Sequence, residues 1–354
     1  MISKPSISQP MISPPRKKHL EQCLALQLYD LVQGWQNDAA GSASPSPSLS
    51  LQPVTIVCLS DTHNTQPGVV PDGDILVHAG DLSQYGTYAE LAAQIAWLRD
   101  LPHAHKIVVA GNHDLLLDRA FVEAHPDREL DGRRHQNKNS AYDLDWGDIK
   151  YLDHGAGDVV VRGRRVRVFG SPWTPRFGSW AFQYDMEPQN GSQNTGKSGN
   201  QKWEGAVPDG TDVVVSHGPP ACHLDDGGKG CEKLLLELWR SRPALVVCGH
   251  IHAGRGTARL RYDAVQRSYE DAVLEGRPRW RRWTSLGRLV VCVAWYKVQQ
   301  VLGRRTRANT AKKTTRLVNA AVVSGKGNRD HHSPIVVTLY VAPEGSPALQ
   351  TFVA

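Results

Sequence analysis

Two histidines one residue apart are the most chemically suggestive pair in this chain of 354 residues. His250 and His252 follow the apolar run at residues 244–247, which is typical of a buried strand. Side chains alternate along a strand, so both imidazoles are expected to face one point in space, as metal ligation requires. Two histidines beside a glycine turn are more often polar surface, so the pair needs companions before it predicts a metal site.

Four further apolar runs supply those companions, because each is followed directly by Asp, His or Asn. The residues are Asp61 and His63, then Asp81, then Asn112, His113 and Asp114, and finally His217. Open α/β sheets bind ligands in the crevice beyond the carboxyl ends of their strands. Carboxylate, imidazole and carboxamide groups suit Mn, Fe or Zn. Helix capping would explain one such residue but does not require the histidines, so the set predicts a metal site.

These blocks resemble the calcineurin-like metallophosphoesterase superfamily. The matching residues are Asp61-Thr62-His63, Gly80-Asp81, Gly111-Asn112-His113-Asp114, Ser216-His217-Gly218 and Gly249-His250-Ile251-His252. The resemblance runs from about residue 53 to residue 341. The contexts at residues 77–83 and 170–173 are similar to the branch that contains the brain metallophosphoesterase-domain proteins and their fungal relatives. The resemblance implies a four-layer αββα sandwich, in which two packed mixed β-sheets are flanked by helices.

The resemblance also implies roles for the matching residues. The implied ligands are Asp61, His63 and His252 for a first metal ion, and Asn112, His217 and His250 for a second. Asp81 would bridge the two ions, which would be divalent or transition metals such as Mn, Fe or Zn. The implied reaction is hydrolysis of a phosphate ester P–O bond by attack of a metal-bridging hydroxide. His113 would bind no metal and would donate a proton or a hydrogen bond to the leaving oxygen.

One position departs from the family pattern. Many relatives carry an aspartate three residues after the bridging one, and it orients the catalytic histidine, whereas this chain has Gln84. Either the glutamine carbonyl accepts a hydrogen bond from His113, or another acid such as Asp114 takes over. Asp114 is equally suited to cap a helix predicted at residues 115–124. The residue that orients His113 therefore stays open.

The substrate follows less directly from the residues. The resemblance favours a phosphodiester, with a cyclic nucleotide as the family-level suggestion. A phosphomonoesterase or phosphoprotein phosphatase is the alternative. A non-catalytic binding or scaffold protein on the same fold is a third reading, but such proteins often lose ligands, and all seven implied ligands are present in this chain.

Length and composition fit a large intracellular enzyme. With 40% hydrophobic residues, the chain can bury a sizeable core in one large domain or two small ones. No run of about 18 or more apolar residues predicts a membrane span. Residues 1–9 lack the apolar stretch of a secretory signal. The six cysteines form no CxxC pair, which indicates reduced thiols and an intracellular, cytoplasmic location.

The chain is predicted to divide into an N-terminal extension, residues 1–52, and a phosphoesterase domain, residues 53–354. The extension would have a disordered start, a short amphipathic helix within residues 16–35 and a Gly/Ala/Ser/Pro linker at residues 37–53. The helical stripe consists of Leu20, Cys23, Leu24, Leu28, Leu31 and Val32. We expect this helix to dock on the domain, with binding of a partner as the alternative.

Within the domain, strand-like runs alternate with helical ones, as an α/β fold requires. Thr87 and Glu90 have the spacing of a capping box at a helix start. Further helices are predicted at residues 231–240 and 262–274. Strands of the second sheet are predicted at residues 166–170 and 334–341.

Two segments are predicted to be insertions. Residues 189–202 are rich in Gly, Asn and Ser and should form a mobile polar loop. Residues 277–316 hold 12 of the 41 basic residues and no acidic one, which leaves 29 basic against 35 acidic residues elsewhere. Tryptophans and an apolar run accompany these charges. Three readings stay open: contact with single-stranded nucleic acid, contact with an anionic membrane surface, or, as we expect, a packed cap with solvated arginines.

Overall fold

The computed structural model describes residues 19–40, 51–128, 130, 141–185, 202–274, 276–302, 314–325, 327–341 and 352–353. The predicted disordered start, nearly all of the loop at 189–202 and most of the linker at 37–53 lie outside these residues. The division into an extension and a domain stays a prediction.

The α-helices of the described residues are α1 (Leu20–Ala40), α2 (Tyr88–Asp100), α3 (Arg119–Ala124), α4 (Glu232–Ser241), α5 (Ala264–Val273) and α6 (Arg279–Val301). The strands are β1 (Gln52–Leu59), β2 (Ile75–Ala79), β3 (His105–Val109), β4 (Ile149–Tyr151), β5 (Gly155–Val161), β6 (Arg164–Ser171), β7 (Thr174–Pro175), β8 (Gln183–Tyr184), β9 (Val213–Ser216), β10 (Leu245–Cys248), β11 (Gly256–Leu260), β12 (Thr315–Asn319), β13 (Val323–Ser324), β14 (Asp330–His331), β15 (Ile335–Val341) and β16 (Phe352–Val353).

Two mixed sheets of six strands form the centre of the fold. The first has the strand order β16-β15-β1-β2-β3-β4, and the second has the order β11-β12-β10-β9-β6-β5. The four strands from β1 to β4 pair in parallel, as do β6, β9, β10 and β12 in the second sheet. Parallel pairing places the carboxyl ends of neighbouring strands at the same edge of each sheet. These edges carry the predicted metal ligands.

The core lies between the two sheets, and helices cover their outer faces. Ile56 of β1 and Val215 of β9 belong to one buried apolar cluster to which both sheets contribute. On the outer face of the first sheet, Leu91 and Ile95 of α2 are buried. Leu234 of α4 is buried on the outer face of the second sheet. The predicted four-layer αββα sandwich is therefore confirmed.

The assignment of residues 334–341 to the second sheet is wrong. This segment forms β15, which pairs antiparallel with β1 in the first sheet and places Val341 opposite Gln52. The alternation of buried and more exposed residues along β15 fits the edge region of either sheet, so it does not identify the partner strand. Residues 166–170 do lie in the second sheet, within β6.

The residue patterns at helix starts predicted the structure more accurately than the strand pattern at residues 334–341 did. The capping box is present: the Thr87 hydroxyl accepts from the Glu90 N–H, and the Glu90 carboxylate accepts from the Thr87 N–H. The helices predicted at 231–240 and 262–274 are α4 and α5. The helix predicted at 115–124 is a 3-10 turn, Leu115–Leu117, followed by α3, and its N-cap is Asp118.

The N-terminal helix α1 docks on the domain, but the predicted stripe is only partly its buried face. Leu20, Leu24 and Leu31 of the stripe are exposed. Val32 of the stripe is buried, together with Ala25 and Tyr29 from outside it, in a cluster shared with α5 and α6, and Leu28 packs against that cluster. Tyr29 stacks on Tyr269 of α5 with ring centroids 4.1 Å apart. In this stack Tyr29 buries more apolar surface than a leucine of the predicted stripe could. This explains why Tyr29, rather than the exposed leucines of the stripe, faces the domain.

Helix α6 forms the described centre of the basic insertion at 277–316. Leu286, Leu289 and Val293 are buried against α1 and α5, and the Arg282 guanidinium lies 3.7 Å from the Glu21 carboxylate of α1. None of the described helices combines the length and the apolar character needed to cross a membrane. All six cysteines have free thiols.

Candidate metal centre

The predicted ligands come together at the edge where the carboxyl ends of the two sets of parallel strands meet. Asp61 follows β1, Asp81 follows β2, Asn112 follows β3, His217 follows β9, and His250 and His252 follow β10. Main-chain hydrogen bonds connect the ligand loops to one another. The Asp61 N–H donates to the Gly80 carbonyl over 2.9 Å, and the Gly249 N–H donates to the His217 carbonyl over 2.8 Å.

Asp61, His63 and His252 form a first cluster, in which one potential ligand atom from each residue lies within 4.8 Å of the others. His252 Nε2 is 3.3 Å from Asp61 Oδ1. Both ring nitrogens of His63 are buried without a hydrogen-bond partner. A buried polar atom without a partner is costly, so such groups in native proteins usually have one. A metal ion at this cluster would supply the partner that His63 lacks.

Asp81, His217 and His250 form a second cluster within the same 4.8 Å limit. His217 Nδ1 lies 2.9 Å from the Ala79 carbonyl, so Nδ1 carries the hydrogen and Nε2 faces the cluster. His217 Nε2 is 3.0 Å from the Asn112 carboxamide oxygen and 3.4 Å from Asp81 Oδ1. Atoms that can act as electron-pair donors thus converge from Asn112, His217 and Asp81, which is the arrangement that a cation requires.

The Asp81 carboxylate lies between the two clusters. Its Oδ2 is 3.6 Å from His63 Nε2, and its Oδ1 is 3.4 Å from His217 Nε2. Burial alone would raise its pKa, but His217 and His113 hold the pKa of Asp81 well below its usual range. Asp81 therefore stays ionised and presents one oxygen to each cluster.

Left-handed backbone conformations direct the predicted ligands away from the axes of their strands. The φ angles of Asp61, His63, Asp81 and His250 are 53°, 43°, 54° and 64°. Such angles are uncommon for residues other than glycine, and they concentrate at functional sites where the surrounding structure holds them. At His250 this turn, rather than strand alternation, sets the ring direction, because β10 ends at Cys248.

The expectation that His250 and His252 face one point is consequently wrong. The His250 ring lies 4.9 Å from the His217 ring, in the second cluster. The His252 ring lies 5.3 Å from the His63 ring, in the first cluster. The structure divides the pair between two clusters, in the way that the family resemblance implied.

Two positions require glycine because the main chain there passes too close to a carboxylate to leave room for a side chain. A Cβ atom at Gly111 would lie 2.2 Å from Asp81 Oδ1, and a Cβ atom at Gly249 would lie 2.0 Å from Asp61 Oδ2. Any larger residue at these positions would displace a carboxylate from its cluster.

His113 is oriented by main chain rather than by an acid. Its Nδ1 lies 2.8 Å from the main-chain carbonyl oxygen of Gln84, so the side chain at position 84 is not needed. Asp114 serves neither alternative role, because it accepts hydrogen bonds from Gly111 and Ser83 and caps no helix with its side chain. Burial and the nearby Asp81 raise the pKa of Asp114 to about 6. The buried carboxyl fastens the loop of Asp81 to the loop of Asn112.

Two residues at the centre were missed in the sequence. The Asn319 carboxamide donates to the Ile251 carbonyl over 2.9 Å and so supports the His250–His252 loop. Asn319 ends the apolar strand β12, which is the same signal that identified the ligands. Trp180, between β7 and β8, stacks on His113 with ring centroids 4.1 Å apart. No periodicity or motif marks this tryptophan.

The protonation of the histidines reflects a balance between burial, which opposes the charged ring, and the nearby aspartates, which favour it. Burial lowers the pKa of His63 to about 4 and that of His250 to about 3, which leaves both rings neutral at pH 7. Burial also opposes charge on His217, but Asp81 raises the pKa of His217 to about 9. A metal ion at the second cluster would have to displace the proton from His217.

Comparison with known proteins gives a family match and several similar proteins. A family model described as calcineurin-like phosphoesterase matches residues 54–254. Metallophosphoesterase domain-containing protein 1 of Homo sapiens is 34% identical over 249 residues, which cover 66% of this chain and 72% of that protein. A protein of Emericella nidulans called probable rhamnogalacturonate lyase C is 39% identical over 289 residues, which cover 81% of this chain. The match covers 24% of that protein, so this chain spans about a quarter of its length.

Solved structures resemble the chain more distantly. The crystal structure of the protein TT1561 of Thermus thermophilus is 13% identical and has a TM-score of 0.35, with 60% of this chain and 86% of that chain covered.

From the raised pKa of His217 we predict how the stability of the protein and its metal binding depend on pH. Its pKa of about 9 lies above the ordinary 6.5, so the metal-free protein gains stability that is fully present below pH 6.5 and lost as pH rises through about 9. Because a metal ion competes with this proton, the rise in Tm on adding Mn²⁺ should grow between about pH 6.5 and pH 8.5. Thermal unfolding with and without Mn²⁺ measures this difference.

A variant with an unrelated histidine changed serves as the control. His19→Gln alters an exposed side chain and should keep the full pH dependence. A Mn²⁺-induced change in Tm that is constant across this pH range would contradict a protonated His217 in the metal-free protein.

Proposed function

The chain belongs to the calcineurin-like phosphoesterase family, and on that premise we propose that it hydrolyses a phosphate ester with two metal ions. The observation that carries the proposal is the Asp81 carboxylate, which presents one oxygen to each of two ligand clusters. The proposed ligands are Asp61, His63 and His252 for one ion, Asn112, His217 and His250 for the other, and Asp81 for both.

Two bound ions would supply Lewis-acid activation of a water nucleophile and of the phosphate oxygens. The chain contributes the conditions for binding them. His63 and His250 are neutral because they are buried, so their lone pairs are available to a cation. The negative charge of Asp81 offsets the repulsion between two cations held close together. The nitrogen and oxygen donors suit Mn, Fe or Zn, and sulfur takes no part in the proposed set.

His113 is the proposed general acid. One of its ring nitrogens lies within 4.8 Å of ligand atoms of His63 and Asp81, so distance alone would also allow it to bind a metal. We assign it to proton donation on the basis of the family resemblance; the Gln84 carbonyl holds its Nδ1 and Trp180 stacks on the ring, so its orientation is fixed. Its Nε2 would face the leaving oxygen and, with the ring in the imidazolium form, would give up its proton to that oxygen.

A phosphodiester is the proposed substrate, with a cyclic nucleotide as one form of it. The half-buried indole of Trp180 lies beside the proposed acid, where the leaving group departs. An aromatic face at that point favours an organic substituent such as a nucleoside, whose base can stack on it. Phosphomonoester and phosphoprotein hydrolysis are the alternative reactions of the same centre. The name of the Emericella nidulans relative does not extend to this chain, since the match covers 24% of that protein.

Replacement of the bridging carboxylate tests the two-metal proposal. Asp81→Asn keeps the size of the side chain and removes the charge between the clusters. We expect the metal content to fall from two ions per chain, and hydrolysis to fall by more than about 100-fold, since even partners behind the ligands cost about 10–100-fold. Elemental analysis of the purified protein measures the metal.

Asp158→Asn is the matched control, because Asp158 lies on the edge strand β5 and pairs with Arg165 at the surface. It should leave metal content and rate unchanged. Retention of both ions and of full activity in Asp81→Asn would refute the bridging role.

The role of His113 predicts a separation of metal binding from turnover. His113→Ala should retain both ions and lose about 10²–10⁴-fold in kcat on an ester with a poor leaving group such as ethanol. The loss should be much smaller for p-nitrophenolate, which leaves without a proton. Equal losses on the two esters would argue against proton donation, and loss of an ion would make His113 a ligand.

The substrate class is tested by comparing two model esters in the presence of Mn²⁺. We expect a higher kcat/KM for bis(p-nitrophenyl) phosphate than for p-nitrophenyl phosphate, because the proposed substrate is a diester. Trp180→Ala should lower kcat/KM for both esters, because each has the aromatic leaving group p-nitrophenolate, and Phe177→Ala, at an exposed aromatic residue of the same loop, should not. A preference for the monoester would favour the phosphatase alternative.

A further inference from the structure

Exposed apolar side chains are concentrated on two neighbouring helices. Of the 17 large apolar side chains exposed among the described residues, 11 lie on α1 or at residues 280–302. Val291 and Trp295 of α6 are 67% and 62% exposed. Isolated exposed apolar residues are normal, whereas a concentration of this size marks an interaction surface.

Helix α6 is apolar on two opposite faces. Its inner face, with Leu286, Leu289 and Val293, packs against α1 and α5. The residues of its outer face recur at spacings of three and four and are all exposed: Trp280, Trp283, Gly287, Val290, Val291, Ala294, Trp295, Val298 and Val301. This spacing keeps them on one side of the helix. The outer face thus forms a continuous apolar strip with the length of the helix.

Basic residues border the strip on both sides. With about 100° per residue, Arg281 and Arg288 project along one border, and Arg279 and Lys297 along the other. The three arginines are exposed. The surrounding sequence adds to this charge, because residues 277–316 contain 12 basic residues and no acidic one. The surface around the strip therefore attracts anions.

We propose that the outer face of α6 binds an anionic membrane surface and lies in its interface. A strip of Trp and Val would enter the boundary between headgroups and acyl chains, while the bordering arginines contact anionic headgroups. Long basic side chains reach the headgroups from the borders of such a strip. The apolar strip and the positive borders both match this occupant.

A second copy of the chain fits the same surface less well. Two α6 helices packed through their outer faces would bring Arg279, Arg281 and Arg288 of one copy towards the basic residues of the other, without an acidic residue in either insertion. Like charges at such short range oppose association. Residues 1–18 and 303–313 have the wrong charge as well, since these two segments contain basic residues and no acidic ones.

A nucleic acid would pair with the arginines, but it would leave most of the apolar strip exposed to water. Single strands bind by phosphate contacts and by stacking of bases on aromatic rings. The strip has tryptophans at positions 280, 283 and 295, whereas Gly287, Val290, Val291 and Ala294 between them offer no ring for stacking. Membrane binding removes these side chains from water, and nucleic-acid binding does not.

Sedimentation of the full-length protein with vesicles tests the proposal. The probes are phosphatidylcholine vesicles with and without phosphatidylserine. We expect binding to the vesicles that contain phosphatidylserine, weaker binding to phosphatidylcholine alone, and a decrease as salt is added. Failure of the protein to bind the anionic vesicles would overturn the proposal.

Two sets of substitutions separate the strip from its borders. Val290→Ser, Val291→Ser and Trp295→Ser together should lower the partition coefficient by about tenfold or more, because less apolar surface enters the interface. Arg279→Gln, Arg281→Gln and Arg288→Gln together should lower it by about 100-fold, the equivalent of about 1 kcal/mol per residue. All six positions are exposed, so the Tm should stay unchanged.

The matched control replaces exposed apolar residues elsewhere. The exposed residues Val69, Val160 and Phe177 lie outside α1 and α6. Replacing all three by serine should leave vesicle binding unchanged. Equal losses in this control would show nonspecific adsorption and refute the assignment to α6. Tighter binding to single-stranded RNA than to vesicles, with the serine variants unaffected, would make the surface a nucleic-acid site. Loss of a dimer in the serine variants would identify a second copy as the occupant.

Discussion

The structure depends most on one buried carboxylate, Asp81, and on the positive charge that must accompany it. A buried charge is costly unless it is paired, and Asp81 is 2% exposed. Without a metal, a proton on His217 supplies the partner, because Asp81 raises the pKa of His217 to about 9. With two metal ions, the same carboxylate would serve both. In the proposed centre, a metal cation would replace this proton.

The surrounding structure holds this carboxylate between the two clusters. Asp81 leaves β2 in a left-handed turn, and Gly111 leaves space beside its Oδ1. The main-chain N–H of His113 donates to Asp81 Oδ1 over 2.8 Å. The Asp114 carboxyl fastens the loop of Asp81 to the loop of Asn112. Parallel pairing of β1, β2 and β3 brings these loops to one edge of the sheet. A shift of one strand by a residue would separate the ligands.

The fold layers and the positions of the ligands were predictable from the sequence because each ligand directly follows an apolar run. The ring directions were not, since they depend on left-handed turns such as that at His250, which no pattern of residue types specifies. The partner of β15 was also assigned wrongly, and the buried face of α1 was predicted only in part. Both depend on contacts between distant segments, such as the stack of Tyr29 on Tyr269, which local periodicity does not contain. The role of Trp180 likewise appears only in three dimensions.

The outer layer of α1, α5 and α6 is connected to the candidate metal centre through buried polar contacts. Glu270 of α5 accepts hydrogen bonds from Gln266 and from the indole of Trp239, and it lies 2.9 Å from His223 Nε2. His223 lies in the loop that follows His217, so this network fixes the position of α5 relative to the ligands. Because α6 packs on α5, the outer face of α6 has a defined orientation relative to the centre.

The most direct test of a shared Asp81 carboxylate is anomalous X-ray diffraction from crystals grown with Mn²⁺. The account predicts two anomalous peaks about 3.5–4 Å apart, one beside each oxygen of Asp81. One peak would lie within reach of Asp61, His63 and His252, and the other within reach of Asn112, His217 and His250. A single peak at full occupancy, or two peaks that Asp81 does not contact, would contradict it.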